Sequence, residues 1–211
     1  MLEMKRQTAA YLLQSKAIIL EPSKPFIWAS GWHSPIYCDN RITLSCPEIR
    51  TFIKEAFIEI IRTDFGIPDV VAGVATGAIA QGALVAEALG LPMIYVRSAA
   101  KGHGRQNLIE GRLEAGQEVV VIEDLVSTGG SSLKAVESIR AAGGRVTGMA
   151  AIFTYGFPVA EKAFHEAGVT FRVLSDYHTL VEMAVESGYI DPASVELLSR
   201  WREDPAGWTG A

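Results

Sequence analysis

Cysteine is scarce in this chain: Cys38 and Cys46 are the only 2 among 211 residues. They are too few for a disulfide framework. Neither sits in a CxxC pair or near a metal-spaced histidine pair, so a disulfide scaffold and a zinc module are excluded and a reducing cytoplasm is expected. Basic charge is not in excess either. The 19 Lys and Arg stand against 24 Asp and Glu, a net charge of −5. No overall field draws in nucleic acid, and any phosphate chemistry must use a local cluster. Long apolar runs are also missing. The charge-poor stretch Val70 to Val96 is interrupted by Gln81, Glu87 and Pro92 and punctuated by Gly73, Gly77, Gly82 and Gly90. A strand–helix–strand unit explains it and a membrane span does not. The first residues, MLEMKRQTAAYLLQSK, hold no continuous apolar segment, so no signal peptide is expected. Nucleotide motifs fail as well. Lys101-Gly102 is in the wrong order for GxxxxGK[ST], and Asn107 breaks the GxGxxG begun by Gly102-His103-Gly104. No Ser/His/Asp triad spacing is readable.

What is present reads as one domain spanning 1–211, with 49% apolar and 20% charged residues. A helical stripe at Ala10, Leu13 and Ala17 leads into Ile18-Ile19-Leu20. Pro22 to Asn40 breaks that rhythm with Phe26, Trp28, Trp32 and Tyr37, which predicts irregular or antiparallel-strand structure. Such a segment is either an aromatic mini-core or a lid over a planar ligand. Pro47 to Phe65 has the spacing of an amphipathic helix. From Asp69 onward strands alternate with helices: strands at 69–74, 92–96, 119–122, 145–153 and 169–174, and helices at 78–89, 133–142, 158–167 and 177–186. A last helix opens at Asp191-Pro192, and the tail from Glu203 is expected to fray. This alternation predicts a parallel, doubly wound α/β sheet.

The densest chemistry lies in Glu118 to Ser132, EVVVIEDLVSTGGSS. A buried β-branched strand is followed by Glu123 and Asp124, then by the turn Ser127-Thr128-Gly129-Gly130-Ser131-Ser132, then by a helix. Glycines let backbone N–H groups approach an oxyanion, hydroxyls donate to it, and the helix N-terminus favours negative charge. Carboxylates repel phosphate, so the two acids need ribose-like hydroxyls or a divalent cation beside it. A doubly wound sheet binds ligands at the carboxyl ends of its strands. Ala75-Thr76-Gly77, the basic loop Arg97 to Arg105, and Glu123 to Ser131 all follow core strands there. Each taken singly has an ordinary reading as a surface turn or solvated charge; together they point to one cleft.

Val119 to Ser132 resembles the fingerprint of the type I phosphoribosyltransferases, and Phe26 to Tyr37 (FIWASGWHSPIY) resembles the N-terminal hood segment of the orotate phosphoribosyltransferase family. Arg97 to Gly104 is similar to that family's mobile catalytic loop, with Lys101 and His103 at matching positions. The resemblance runs from about Leu12 to Ser187. It implies the type I fold, a parallel sheet flanked by helices with a small hood at about 20–45. It also implies transfer of a phosphoribosyl group from 5-phosphoribosyl 1-diphosphate to orotate in pyrimidine (UMP) biosynthesis, with Mg²⁺ held mainly by the donor and no certain protein ligand set.

By the same resemblance Glu123 and Asp124 hold the ribose hydroxyls. Leu125 and Val126 belong to the donor site, Ser127, Thr128, Gly129, Gly130 and Ser131 cradle the 5′-phosphate, and Ala75 and Thr76 lie against the diphosphate. Arg97, Lys101 and His103 contact the diphosphate from the loop 97–110, reaching into the partner's site in a cytoplasmic homodimer. Ser127, Tyr37 and Ser30 lie by the orotate, and Lys101, His103 and Asp124 carry catalysis. Three positions depart from the family pattern: Ala29 for a lysine, Ser98 for a second basic residue, and Thr154-Tyr155 for an Asp-Arg pair. The alternatives are a purine phosphoribosyltransferase, which the hood segment opposes, and a donor-sensing regulator of nucleic acid, which the net acidity opposes. No nucleic-acid or membrane partner is expected.

Overall fold

The structure is a computed structural model that describes residues 1–28, 31–99 and 108–209. Helix α1 (Leu2–Gln14) buries the stripe Met4, Thr8, Ala9, Leu12 and Leu13. Strand β1 (Ile18–Leu20) follows and pairs antiparallel with β4 (Ile36–Cys38), and β2 (Phe26–Ile27) and β3 (His33–Ser34) form a second antiparallel pair between them. The aromatics of this segment build a mini-core. The Trp28 ring lies 5.1 Å from Tyr155 and 5.6 Å from Trp201, and its Nε1 donates to the Ile36 carbonyl at 3.0 Å.

A 3-10 helix, Asn40–Ser45, leads to α2 (Pro47–Ile60), which starts on proline because the first helical N–H has no partner to lose. The α-helix does not continue to Phe65 as its periodicity suggests. It loosens into a π-helical turn, Ile61–Phe65, which sets the Phe65 ring over Gly148, where a Cβ would overlap it. The core then runs β5 (Val70–Val74), α3 (Ile79–Leu89), β6 (Met93–Val96), β7 (Ile109–Glu110), β8 (Glu118–Val126), α4 (Gly130–Ala141), β9 (Arg145–Thr154), α5 (Pro158–Glu166), β10 (Phe171–Asp176), α6 (Tyr177–Glu186) and α7 (Val195–Glu203).

The six-stranded sheet has the order β10-β9-β8-β5-β6-β7, parallel except for β7 at its edge. Period-two alternation divides the core between its faces. Val71, Val120, Ile122, Ala150 and Ile152 pack on one side, in a cluster with residues of α1, α2, α3, α6 and α7. Val70, Ala72, Val119, Val121 and Ala151 pack on the other, with residues of α4 and α5. Val119 to Ile122 are fully buried, worth about 1.5–3 kcal/mol per side chain. The chain starts in the middle at β5, winds out to β6, and returns to the other side at β8. The order therefore reverses between β5 and β8.

Strand β8 does not end at Ile122. It runs through both acids to Val126, because β9 keeps pairing along its other edge as far as Val126↔Thr154 after β5 has left at Gly73↔Ile122. Helix α4 correspondingly starts at Gly130, ahead of Leu133. Strand β10 lies two residues later than its apolar run, set by its register with β9, and its last residue, Asp176, caps α6 by accepting from Thr179 N–H at 3.0 Å. The tail is not simply frayed: Trp208 packs on the first core cluster, and its N–H donates to the Asp204 carbonyl at 3.1 Å.

Candidate active site

The reversal between β5 and β8 opens a crevice at the carboxyl ends of the strands, the place where doubly wound sheets take ligands. A cleft of about 680 Å³ lies there, lined by Ala75, Thr76 and Gly77 after β5, Arg97 and Ser98 after β6, Glu123, Asp124 and Leu125 from β8, and Gly130, Ser131 and Lys134 from α4. A groove of about 660 Å³ between α1, α6 and α7 shares no residue with it and has no glycine turn. The cleft is where the expected chemistry converges.

The two acids differ. Glu123 is 4% exposed, and both its carboxylate oxygens are engaged: Oε1 accepts from Asp124 N–H at 3.0 Å and Oε2 from Ser132 Oγ at 2.8 Å. Burial, and then the Asp124 carboxylate beside it, push the Glu123 carboxyl up to about 8, so it holds a proton at neutral pH. Asp124 is half-buried, with its carboxylate against Gly77. A Cβ on residue 77 would overlap those oxygens, so any larger residue there would push the Asp124 carboxylate aside. The Ala75–Thr76 peptide in that turn is cis.

Past the acids, Val126 is buried and its carbonyl accepts from Thr154 Oγ1 at 2.9 Å, which makes it a joint between β8 and β9. Ser127 is half-buried, and Thr128, Gly130 and Ser131 face solvent around the start of α4. Gly129 begins that helix at φ +83°, with Phe164 Cε2 3.1 Å from where a Cβ would sit. The turn thus presents backbone N–H groups and hydroxyls at the N-terminus of a 12-residue helix, an arrangement made for a phosphate.

Arg97 sits at the base of its loop. Its N–H donates to the Leu108 carbonyl at 2.8 Å, and its guanidinium lies 3.5 Å from Glu110. The loop's two ends are therefore joined. Lys101 and His103, and Ser30 of the hood, lie outside the described residues. Tyr37 stands on β4, exposed and 5.6 Å from the Phe26 ring, and is not part of the cleft lining. Tyr155 is 2% exposed and packs among Trp28, Phe153, Phe157 and Trp201. Burial holds its phenol well above the usual range.

Gly77 and Ser132 stood in motifs the sequence reading singled out, without a role of their own; two residues of the site, Lys134 and Asn40, escaped it. Lys134 was within reach, since it follows the anion turn closely. Asn40 was not. Its Nδ2 donates to the Asp124 carbonyl at 2.6 Å across 84 residues of chain, and no local pattern announces such a contact. Among the described residues no group of three or more His, Cys, Asp or Glu could hold a metal ion. Asp124 can still offer an oxygen to a Mg²⁺ that arrives with phosphates, the way this ion is commonly bound. Among the described residues no helix is long and apolar enough to cross a membrane.

A family model described as a phosphoribosyl transferase domain matches residues 44–184. An orotate phosphoribosyltransferase of Bacteroides fragilis is 55% identical over 208 residues, covering 99% of this chain and 98% of that protein. Another, from Phocaeicola vulgatus, is 58% identical and covers 95% and 94%. Among solved structures, the orotate phosphoribosyltransferase from Aeropyrum pernix superposes with a TM-score of 0.75 at 28% identity, covering 86% of this chain and 98% of that one. With a cleft at the switch point of its sheet and relatives of this closeness along nearly its whole length, the chain belongs to the phosphoribosyltransferases and, among them, to the orotate phosphoribosyltransferase family.

Proposed function

We propose that this chain transfers the phosphoribosyl group of 5-phosphoribosyl 1-diphosphate to orotate, giving orotidine 5′-monophosphate and diphosphate, a step of pyrimidine biosynthesis. The observation that carries the reading is its 55% identity, end to end, to a curated enzyme of that name. The test is direct: orotate absorbance should fall when donor and Mg²⁺ are added together, and unchanged absorbance with folded protein would overturn the reading. A purine enzyme would instead consume adenine or hypoxanthine.

In the mechanism N1 of orotate attacks C1′ as diphosphate departs, with cationic character on the ribose ring and growing charge on the leaving group. Stabilising that charge is the main task, and no nucleophilic side chain is needed. The α4 turn, Ser127 to Ser131, receives the 5′-phosphate. Asp124, with Glu123 behind it, holds the ribose hydroxyls. Ala75 and Thr76 border the diphosphate, and Arg97 faces it from the loop base. Asp124 is the cleft carboxylate that would help to hold a Mg²⁺ carried in with the donor, and the ion would supply positive charge against the phosphates. Lys101 and His103 of the loop complete the neutralisation, and Tyr37, Ser30 and Ser127 contact the base.

We read 1–211 as one domain with a hood at about 20–45, supported by the Trp201 Nε1 bond to the His33 carbonyl at 3.2 Å, which ties α7 to β3. We further infer a cytoplasmic homodimer in which the loop 97–110 serves the partner's cleft. Lys101→Ala and Asp124→Asn proteins, each almost inactive, should regain activity when co-refolded into mixed dimers. No regain, with subunit exchange demonstrated, would refute the arrangement in trans.

A further inference from the structure

Strand β5 leaves β8 after Gly73↔Ile122, so the peptide groups of Asp124 have no strand on that side. Both are satisfied by side chains: Asp124 N–H donates to Glu123 Oε1 at 3.0 Å, and its carbonyl accepts from Asn40 Nδ2 at 2.6 Å. Asn40 is 3% exposed and opens the 3-10 helix two residues past the end of β4 in the hood. Its own Oδ1 accepts from the Cys38 thiol at 3.5 Å, which fixes the amide with its donor edge toward Asp124. A hydrogen bond from a buried side-chain amide to a part-buried main-chain carbonyl is costly to lose, because both groups are then left without that partner.

We propose that Asn40 is a positioning residue that couples the hood to the donor site by holding the β8 backbone at Asp124. The inference rests on the reading that Asp124 binds the donor ribose. This bond runs directly from the hood to β8, across 84 residues of chain. A shift of β4 under a bound base therefore reaches the ribose acid through this amide.

The test is calorimetric binding of ribose 5-phosphate and of diphosphate, with steady-state kinetics, on the full chain and on Asn40→Ala, Asn40→Ser and Asp124→Asn. Asn40→Ala should weaken ribose 5-phosphate and raise the donor KM by about tenfold, the effect of one lost buried hydrogen bond. Diphosphate affinity should stay within about twofold, since no base or ribose is involved. A purely structural role would lower thermal stability and leave both ratios unchanged, and that outcome overturns the proposal. Asn40→Ser, smaller but polar, gives the same comparison if the alanine variant fails to fold. In the unsubstituted protein, the Asn40 side-chain amide resonance should move on addition of ribose 5-phosphate; a stationary resonance at saturation also overturns the proposal. If Asp124→Asn binds ribose 5-phosphate normally, the reading of the site has failed; if it binds weakly while Asn40→Ala binds normally, only the coupling has.

Discussion

Glu123→Gln should make the protein more stable than the parent at alkaline pH while impairing the enzyme. In the folded chain the Glu123 carboxyl titrates at about 8, against an ordinary value of 4.5. A group whose folded value is raised contributes stability that is complete below its unfolded value and is lost as pH rises through the folded one. The folded state holds the extra proton throughout that interval, so stability falls with pH by about 1.4 kcal/mol per unit. From pH 6 to pH 8 the integrated loss is about 2 kcal/mol, levelling off above about pH 9. The depressed carboxyls, Asp39, Asp64 and Asp176, act below the usual carboxylate range and leave this window clear. Glutamine keeps the shape and both bonds: its carbonyl accepts from Asp124 N–H, and its amide donates to Ser132 Oγ. Urea unfolding at half-unit intervals from pH 6 to 9 should give a sloping line for the parent and a flat one for Glu123→Gln, crossing to favour the variant. Parallel lines would refute the protonated, buried Glu123. Activity should fall in the variant above about pH 8, where only the parent carries an ionised Glu123 behind Asp124.

The remaining predictions are more local. Gly77→Ala drives a methyl into the Asp124 carboxylate and should lower kcat/KM about a hundredfold or more, with circular dichroism unchanged; full activity would mean the carboxylate moves freely. Gly129→Ala places a side chain at φ +83° and 3.1 Å from Phe164, so it should cost about 1–3 kcal/mol in urea unfolding and raise the KM for the donor more than that for orotate.

The α/β class, the order of the core elements and the glycine–hydroxyl turn were legible because each rests on local pattern. Val119 to Ile122 announces a buried strand by composition, and Ser127 to Ser131 announces an anion turn by residue type. Boundaries were legible only where one partner sets them. Strand β8 outran its apolar run because β9 still pairs with it past Ile122, and the pairing partner is invisible in a linear pattern. The inequality of Glu123 and Asp124 was equally hidden. Adjacent acids look alike in sequence, and only the fold decides that one is enclosed beneath Ser132 while the other meets Gly77. Tyr155 shows the same limit. Its place was noted as a departure from the family pattern, but its role as the middle of an aromatic cluster depends on Trp201, far along the chain.

That distant tryptophan has a consequence for synthesis. Trp201 is fully buried and donates to the carbonyl of His33, 168 residues earlier. A ribosome adding about 5–20 residues per second therefore exposes the hood strands roughly 10–30 s before their clasp exists. During that interval β2, β3 and the Trp28 ring have no α7 to close against, and the nascent chain carries an open aromatic surface. A segment made late completes one made early.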